Sequence, residues 1–402
     1  MRNDESGCGH KIILQIFSGG FLSEAVSFEA VQQKLEYVLP RLPVQKVIMG
    51  WSRDNSKKLY TQTASFLSKR NIEFYLWFPV FSETGSLLTL SPLIDIEGHE
   101  INNPANDEEE NFSFCCPNNP QNHEKILGLF EKEFASLPFD GVFLDKIRYP
   151  SFALSGFSAD KSCKNVFSCF CPHCLKKYEE EGISIDDLKK ALSRPTLSPL
   201  GMNAYSGSGS YAFEDPTISQ FFKLKASFIY KSLSKICKYF REKKYRIGFD
   251  VFAPFLSAFV GQDLIALSSL CDFMKPMMYR ITQAPAGIPF ETEALLRETN
   301  SLDIKKRRNF DRLVGVNSDL FPFDLSFVTR EIKDLVAQVS CDIYPGIEIN
   351  RRENIAEVYP EYIEETIKAY RASGIDGLAL SWNLLDAPKE NIDKLISTYK
   401  TC

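Results

Sequence analysis

The sequence predicts an α/β protein of the (β/α)8, or TIM-barrel, type. Three observations predict it: eight short apolar runs, segments of helical period between them, and polar residues placed just past the ends of several runs. The runs span residues 12–17, 46–50, 73–78, 141–145, 246–251, 272–278, 342–348 and 377–382. Each is short enough for a strand buried on both faces, as parallel strands are.

The elements can be justified in order. The first run stops at Ser18-Gly19-Gly20, a turn that lacks the remainder of a phosphate-binding fingerprint. Amphipathic segments follow at 28–39 and 57–69, then at 123–136, 218–243, 325–339 and 359–373, the last closed by Gly374 after Arg371. Two connections are long, 82–122 after strand three and 149–216 after strand four, and both fall on the side where barrels build their sites. The first holds the acidic run Asp107-Glu108-Glu109-Glu110, read as a solvated loop. The second holds a Gly/Ser stretch, residues 206–210, read as flexible. One elaborated barrel over residues 1–402 accommodates all of this.

Composition narrows the function classes. Lys and Arg number 47 against 52 Asp and Glu, a net charge of -5, so there is no bulk attraction for nucleic acid or an anionic membrane. The basic run Lys305-Lys306-Arg307-Arg308 is short and isolated, and fits a solvated helix face. No stretch approaches the roughly 18 apolar residues of a membrane span, and the first apolar run is too short for a signal-peptide core. The chain therefore reads as soluble and cytoplasmic, with nothing to exclude an oligomer. Eleven cysteines, several of them clustered, then suit metal binding or buried thiols better than a disulfide framework.

Cys169-Phe170-Cys171-Pro172-His173-Cys174 sets three thiols within one short loop, a spacing suited to a tetrahedral zinc ion. The fourth ligand is open on the residues alone: Cys116, Cys115, Cys163 and His173 are all candidates. Cys116-Pro117-Asn118-Asn119-Pro120 followed by the Cys-x-Cys-x-x-Cys run resembles the structural zinc site of the family-42 β-galactosidases. That resemblance implies Cys116, Cys169, Cys171 and Cys174 as ligands of a structural Zn2+ clamping the two long connections. The chain departs from that family after strand four, where no Asn-Glu pair follows.

The segment Asp140-Gly141-Val142-Phe143-Leu144-Asp145-Lys146-Ile147-Arg148-Tyr149-Pro150 is the most informative in the chain. An apolar run ends in a carboxylate, a guanidinium and a phenol, groups too costly to bury unpaired, so they belong at the carboxyl end of strand four. It resembles a signature of glycoside-hydrolase-like barrel proteins. So do Phe249-Asp250-Val251-Phe252-Ala253-Pro254, Val260-Gly261-Gln262-Asp263, Lys275-Pro276-Met277-Met278-Tyr279 and Pro345-Gly346-Ile347-Glu348.

Asp145, Asp250 and Glu348 end strands four, five and seven, and glycosyl transfer needs two carboxylates. Strands four and seven face each other in barrels that retain configuration, so the expectation is Asp145 as acid/base and Glu348 as nucleophile, with the reverse open. Asp250 is expected to hold a sugar hydroxyl or a cation. Arg148 and Arg280 are candidates for binding an anionic group or for bracing loops, Lys275 for neutralising a carboxylate, and Tyr279 for donating to the nucleophile. Trp51, Trp77 and Trp382 lie in or at the ends of strands, and Trp382 and Trp51 suit stacking on a sugar face. The implied partner is a carbohydrate. The competing reading is a catalytically inactive carbohydrate-binding or scaffolding barrel.

Overall fold

The computed structural model describes residues 10–22, 26–52, 56–82, 89–101, 114–154, 167–299 and 303–401. The acidic run at 107–110 and Cys163 lie outside the described residues, as does the side chain of Trp51. The sheet is a parallel barrel wrapped by helices. Its strands are, in order, Lys11–Leu22, Val44–Ser52, Glu73–Pro79, Gly141–Asp145, Arg246–Val251, Phe273–Pro276, a seventh in two pieces, and Gly377–Ser381.

Strands four and five have the bounds the sequence predicts, because both are continuous apolar runs flanked by polar residues. Strand seven differs. It divides into Asp342–Ile343 and Gly346–Glu348 around Tyr344-Pro345, since proline supplies no N–H for the ladder. The first piece pairs with strand six and the second with strand eight, so the ring closes through this interrupted strand. Strand eight pairs in turn with strand one, Leu14 opposite Leu380.

Outer helices cover the sheet. Asp215 caps Pro216–Glu242 by accepting from Thr217 N at 2.9 Å, and proline at the first turn supplies the fixed φ a helix start uses. Aromatic side chains fill the space between helix and strand, as with Phe130 against Phe78 at 5.7 Å. They fill the barrel interior too, where Phe273 stacks on Phe143 at 5.8 Å and meets Tyr75 edge-on at 5.3 Å. Gly248 makes room for that ring, because a Cβ there would lie 2.2 Å from Phe273. Each such side chain contributes roughly 2–3 kcal/mol of burial.

The segment after strand four holds helices Pro172–Glu180 and Ile185–Leu192 and an antiparallel hairpin, Met202–Tyr205 with Tyr211–Phe213. The 206–210 stretch, read as flexible, is the turn of this hairpin. Gly207, Ser208 and Gly209 all take positive φ there, and the turn is packed against neighbours: Ser208 Oγ accepts from Gln338 Nε2 at 3.0 Å. Small residues were selected by backbone conformation, not by mobility. Among the described residues, no helix is long and apolar enough to cross a membrane.

Candidate functional site

Strand four delivers Asp145 to the carboxyl end of the barrel, where the chain turns sharply at Lys146, φ 51°. A non-glycine residue in the left-handed region is uncommon, and the turn is held by Val80 N and Phe81 N donating to the carbonyls of Asp145 and Lys146. Asp145 is 8% exposed. Trp77 Nε1 donates to its Oδ2 at 2.8 Å, and the Lys146 amide donates to Oδ1. Each carboxylate oxygen therefore has a donor. Trp77, read as a packing or stacking residue, is fully buried and serves as this hydrogen-bond donor.

Arg148 does not pair with Asp145. Its guanidinium lies between the rings of Phe114 and Phe252, 4.7 and 4.4 Å from their centroids, and donates to Tyr149 O at 3.0 Å. Burial lowers its pKa, and the nearby Glu291 carboxylate opposes that. Glu291, on helix Ile288–Glu298, accepts from Ser151 Oγ at 3.0 Å and from Ala286 N at 2.9 Å. The loop after strand four is also tied to the loop after strand five: Tyr149 N donates to Val260 O, and Gln262 Nε2 donates to Ile147 O.

Asp250 ends strand five beside Asp145 and opposite Lys275 in register. Lys275 Nζ, 1% exposed, donates to Asp250 Oδ2 at 2.9 Å and to Tyr279 Oη at 2.5 Å. Asp250 Oδ1 is buried and has no partner. Burial pushes the Asp250 pKa up to about 7, partly offset by Lys275 and reinforced by the Asp145 charge. Burial alone would lower the pKa of Lys275, but the Asp250 charge beside it wins and holds it raised. Burial also raises Tyr279, to about 12. The half-buried Trp382 meets the Tyr279 ring edge-on at 6.1 Å, at the end of strand eight.

Glu348 is placed differently from its expected company. It is 0% exposed, and its carboxylate accepts five hydrogen bonds, four of them from Arg280 N, Ile281 N, Thr282 N and Thr282 Oγ1 at 2.7–2.9 Å. The fifth comes from Tyr362 Oη. Every lone-pair direction that points toward protein is filled, so Glu348 fastens the loop after strand six to strand seven. Burial raises its pKa, and these donors lower it. Arg280 turns outward as well. Its Nε donates to Phe323 O at 2.6 Å, and its Nη1 to Glu365 Oε1 at 2.9 Å on helix Pro360–Arg371. The structure thus brings together Asp145, Asp250, Lys275 and Tyr279, with Trp382 alongside, and sets Glu348 and Arg280 behind them. Trp77 as donor to Asp145 and Ser381 beside Tyr279 went unread in the sequence. The signal for Trp77 was its place one strand before Asp145.

A second cluster joins the two long connections. Cys116, Cys169, Cys171 and Cys174 are all buried, with their sulfurs within 4.8 Å of one another. Cys116 Sγ lies 3.5 Å from both Cys171 Sγ and Cys174 Sγ. Four sulfurs around one Zn2+ would be separated by roughly 3.8 Å, the tetrahedral edge for a 2.3 Å bond. Ile94 N donates to Cys169 Sγ at 3.3 Å and Asn118 Nδ2 to Cys174 Sγ at 3.2 Å, the arrangement that thiolates favour. The four thiols could hold a metal ion. His173 is exposed and Cys115, although buried, is not among the four.

No protein-family model matches the chain, and no curated protein is significantly similar to it. Solved structures share its fold. The glycoside hydrolase domain of PgaB (BpsB) from Bordetella bronchiseptica superposes with a TM-score of 0.58 at 12% identity, covering 98% of this chain and 99% of that one. An α-L-fucosidase isoenzyme from Paenibacillus thiaminolyticus gives 0.49 at 8% identity over 98% of this chain and 49% of its own. A group IV chitinase from Ostrinia furnacalis gives 0.47 at 8% identity over 97% and 100%. The first likeness establishes the barrel seen in glycoside hydrolases; the other two are too distant to argue from.

Proposed function

We propose that the protein is a glycoside hydrolase whose working carboxylates are Asp145 and Asp250. The observation that carries this reading is their unlike environments at the ends of neighbouring strands. Asp145 has a hydrogen-bond donor on each oxygen. Asp250 has a pKa near 7 and an oxygen with no partner. Neighbouring carboxyls set in unlike environments suit unlike roles in acid–base chemistry. Asp250 protonates the departing glycosidic oxygen from Oδ1, while Lys275 on Oδ2 stabilises the charge left behind. Asp145 faces the developing positive charge at the anomeric carbon, or activates water there.

In this reading Glu348 and Arg280 are braces, Tyr279 and Lys275 set the state of Asp250, and Arg148 forms part of the wall. Trp382 offers a stacking surface for a carbohydrate. Cys116, Cys169, Cys171 and Cys174 bind Zn2+ as a closed structural clamp, with no open position for chemistry. Metal analysis of purified protein should find zinc near one equivalent, and chelation should lower the melting temperature.

The low exposure of the carboxylates, 8% for Asp145 and 5% for Asp250, favours a second reading, a carbohydrate-binding barrel without turnover. A panel of chromogenic glycosides separates the two. Hydrolysis by the wild type that Asp145→Asn abolishes supports the enzyme; sugar binding without hydrolysis supports the alternative.

A further inference from the structure

In the run Ile12-Ile13-Leu14-Gln15-Ile16-Phe17 the one polar residue is Gln15, and it is only 1% exposed. Its Oε1 accepts from Ser381 Oγ at 2.7 Å, while its Nε2 has no hydrogen-bond partner. Buried donors are rarely left unmade, and an orphan in a strand facing a candidate site calls for an explanation.

The partner of this carboxamide, Ser381, lies against the polar cluster of the candidate site. The Lys275 ammonium can only donate, and it donates to Tyr279 Oη and Asp250 Oδ2. Ser381 lies beside Tyr279, and its Oγ donates to Gln15 Oε1. With its oxygen on Ser381, the Gln15 carboxamide keeps its NH2 free. Gly346 leaves no slack: a Cβ there would lie 2.9 Å from both Lys275 Cε and Tyr279 Cε1, and 3.2 Å from Ser381 Oγ. The cluster is thus flanked by an unpaired NH2 on strand one and an unpaired carboxyl oxygen, Asp250 Oδ1, on strand five.

We propose that Gln15 is a substrate-contacting, specificity-determining residue whose NH2 donates to an acceptor oxygen of the bound sugar. This rests on the glycosidase reading above. The free NH2 makes the contact directional: it favours a sugar that presents an acceptor to strand one, and it penalises one that presents nothing there.

The test compares Gln15→Met, Gln15→Glu and Asp145→Asn with the wild type on the p-nitrophenyl glycoside that the wild type hydrolyses best. Gln15→Met should lower kcat/KM by roughly 10- to 100-fold, the loss of one buried hydrogen bond to substrate. Its melting temperature should stay level or rise, because an orphan donor has gone from the free protein. Gln15→Glu should lose at least as much kcat/KM, since it puts an acceptor where the substrate also has one. Unchanged kcat/KM in Gln15→Met, or a clear drop in its melting temperature with activity per folded molecule intact, overturns the inference and makes Gln15 a packing residue. Turnover that survives Asp145→Asn overturns the glycosidase reading instead, whatever Gln15 does. A panel in which the wild type hydrolyses nothing overturns both.

Discussion

Asp250 and Glu348 look alike in sequence and differ in the fold. Each ends an apolar barrel run, each is almost fully buried, and burial raises the pKa of each. Glu348 is met by five donors, three of them backbone amides of consecutive residues, so its two oxygens are saturated. Asp250 is met by one lysine and keeps an oxygen unpaired. A saturated carboxylate holds a loop in place, whereas an unsaturated one beside a cation can exchange a proton. Position at a strand end is therefore not enough to make a site; the count of donors around the carboxylate decides.

The largest effect that separates the two is on turnover. Asp145→Asn and Asp250→Asn should each lower kcat by about 10²–10⁴-fold, the range for removing a positioned acid or base. Glu348→Gln should lower activity per folded molecule far less. If Glu348→Gln is as inactive as Asp145→Asn while fully folded, the comparison fails and strand seven supplies a catalytic group.

Stability reverses the ranking for Glu348. Replacing one oxygen by an amide sets donor against donor and should cost about 3–5 kcal/mol, read by denaturant unfolding. Asp250→Asn should cost a similar amount, but for another reason: it leaves the Lys275 ammonium buried without a counter-charge. The double variant Asp250→Asn with Lys275→Met should then regain most of that stability and none of the activity. A double variant no more stable than Asp250→Asn alone would show that the ion pair is not what the single change disrupts.

How much of this was legible follows the same division. Strands four and five, and the carboxylates that end them, could be read to the residue because a run of apolar side chains bounded by charge is a local signal. The cysteine run was legible from spacing, whereas its meeting with Cys116, 55 residues from Cys171, was legible only through the family-42 resemblance, since spacing alone left the fourth member open. The donors around Glu348 were not legible, since three of the five are backbone amides 66–68 residues away, which no side-chain pattern announces. The split of strand seven was signalled by Pro345, but the apolar pattern on both sides masked it.

The smallest effect, and the sharpest, is on pH. Asp250 has a folded pKa of about 7 against an ordinary 3.8, so between those values the folded chain keeps a proton that the unfolded chain has released. Folding stability therefore falls as pH rises through that window, the reverse of a carboxylate whose pKa is lowered on folding, and levels off above about 7. Glu331, buried against Tyr205 of the hairpin, also has a pKa raised to about 7 and adds a slope of the same sign; Glu331→Gln removes that part and leaves the part due to Asp250. Activity shares the limb, because a proton donor must hold its proton: turnover should decline above about pH 7. Lys275 pulls the Asp250 pKa down, so Lys275→Met should move that limb to higher pH, and Tyr279→Phe should move it less. Profiles of kcat against pH for the three proteins provide the check. A limb that stays in place in Lys275→Met belongs to some other group, and Asp250 then loses the proton-donor role that separates it from Glu348.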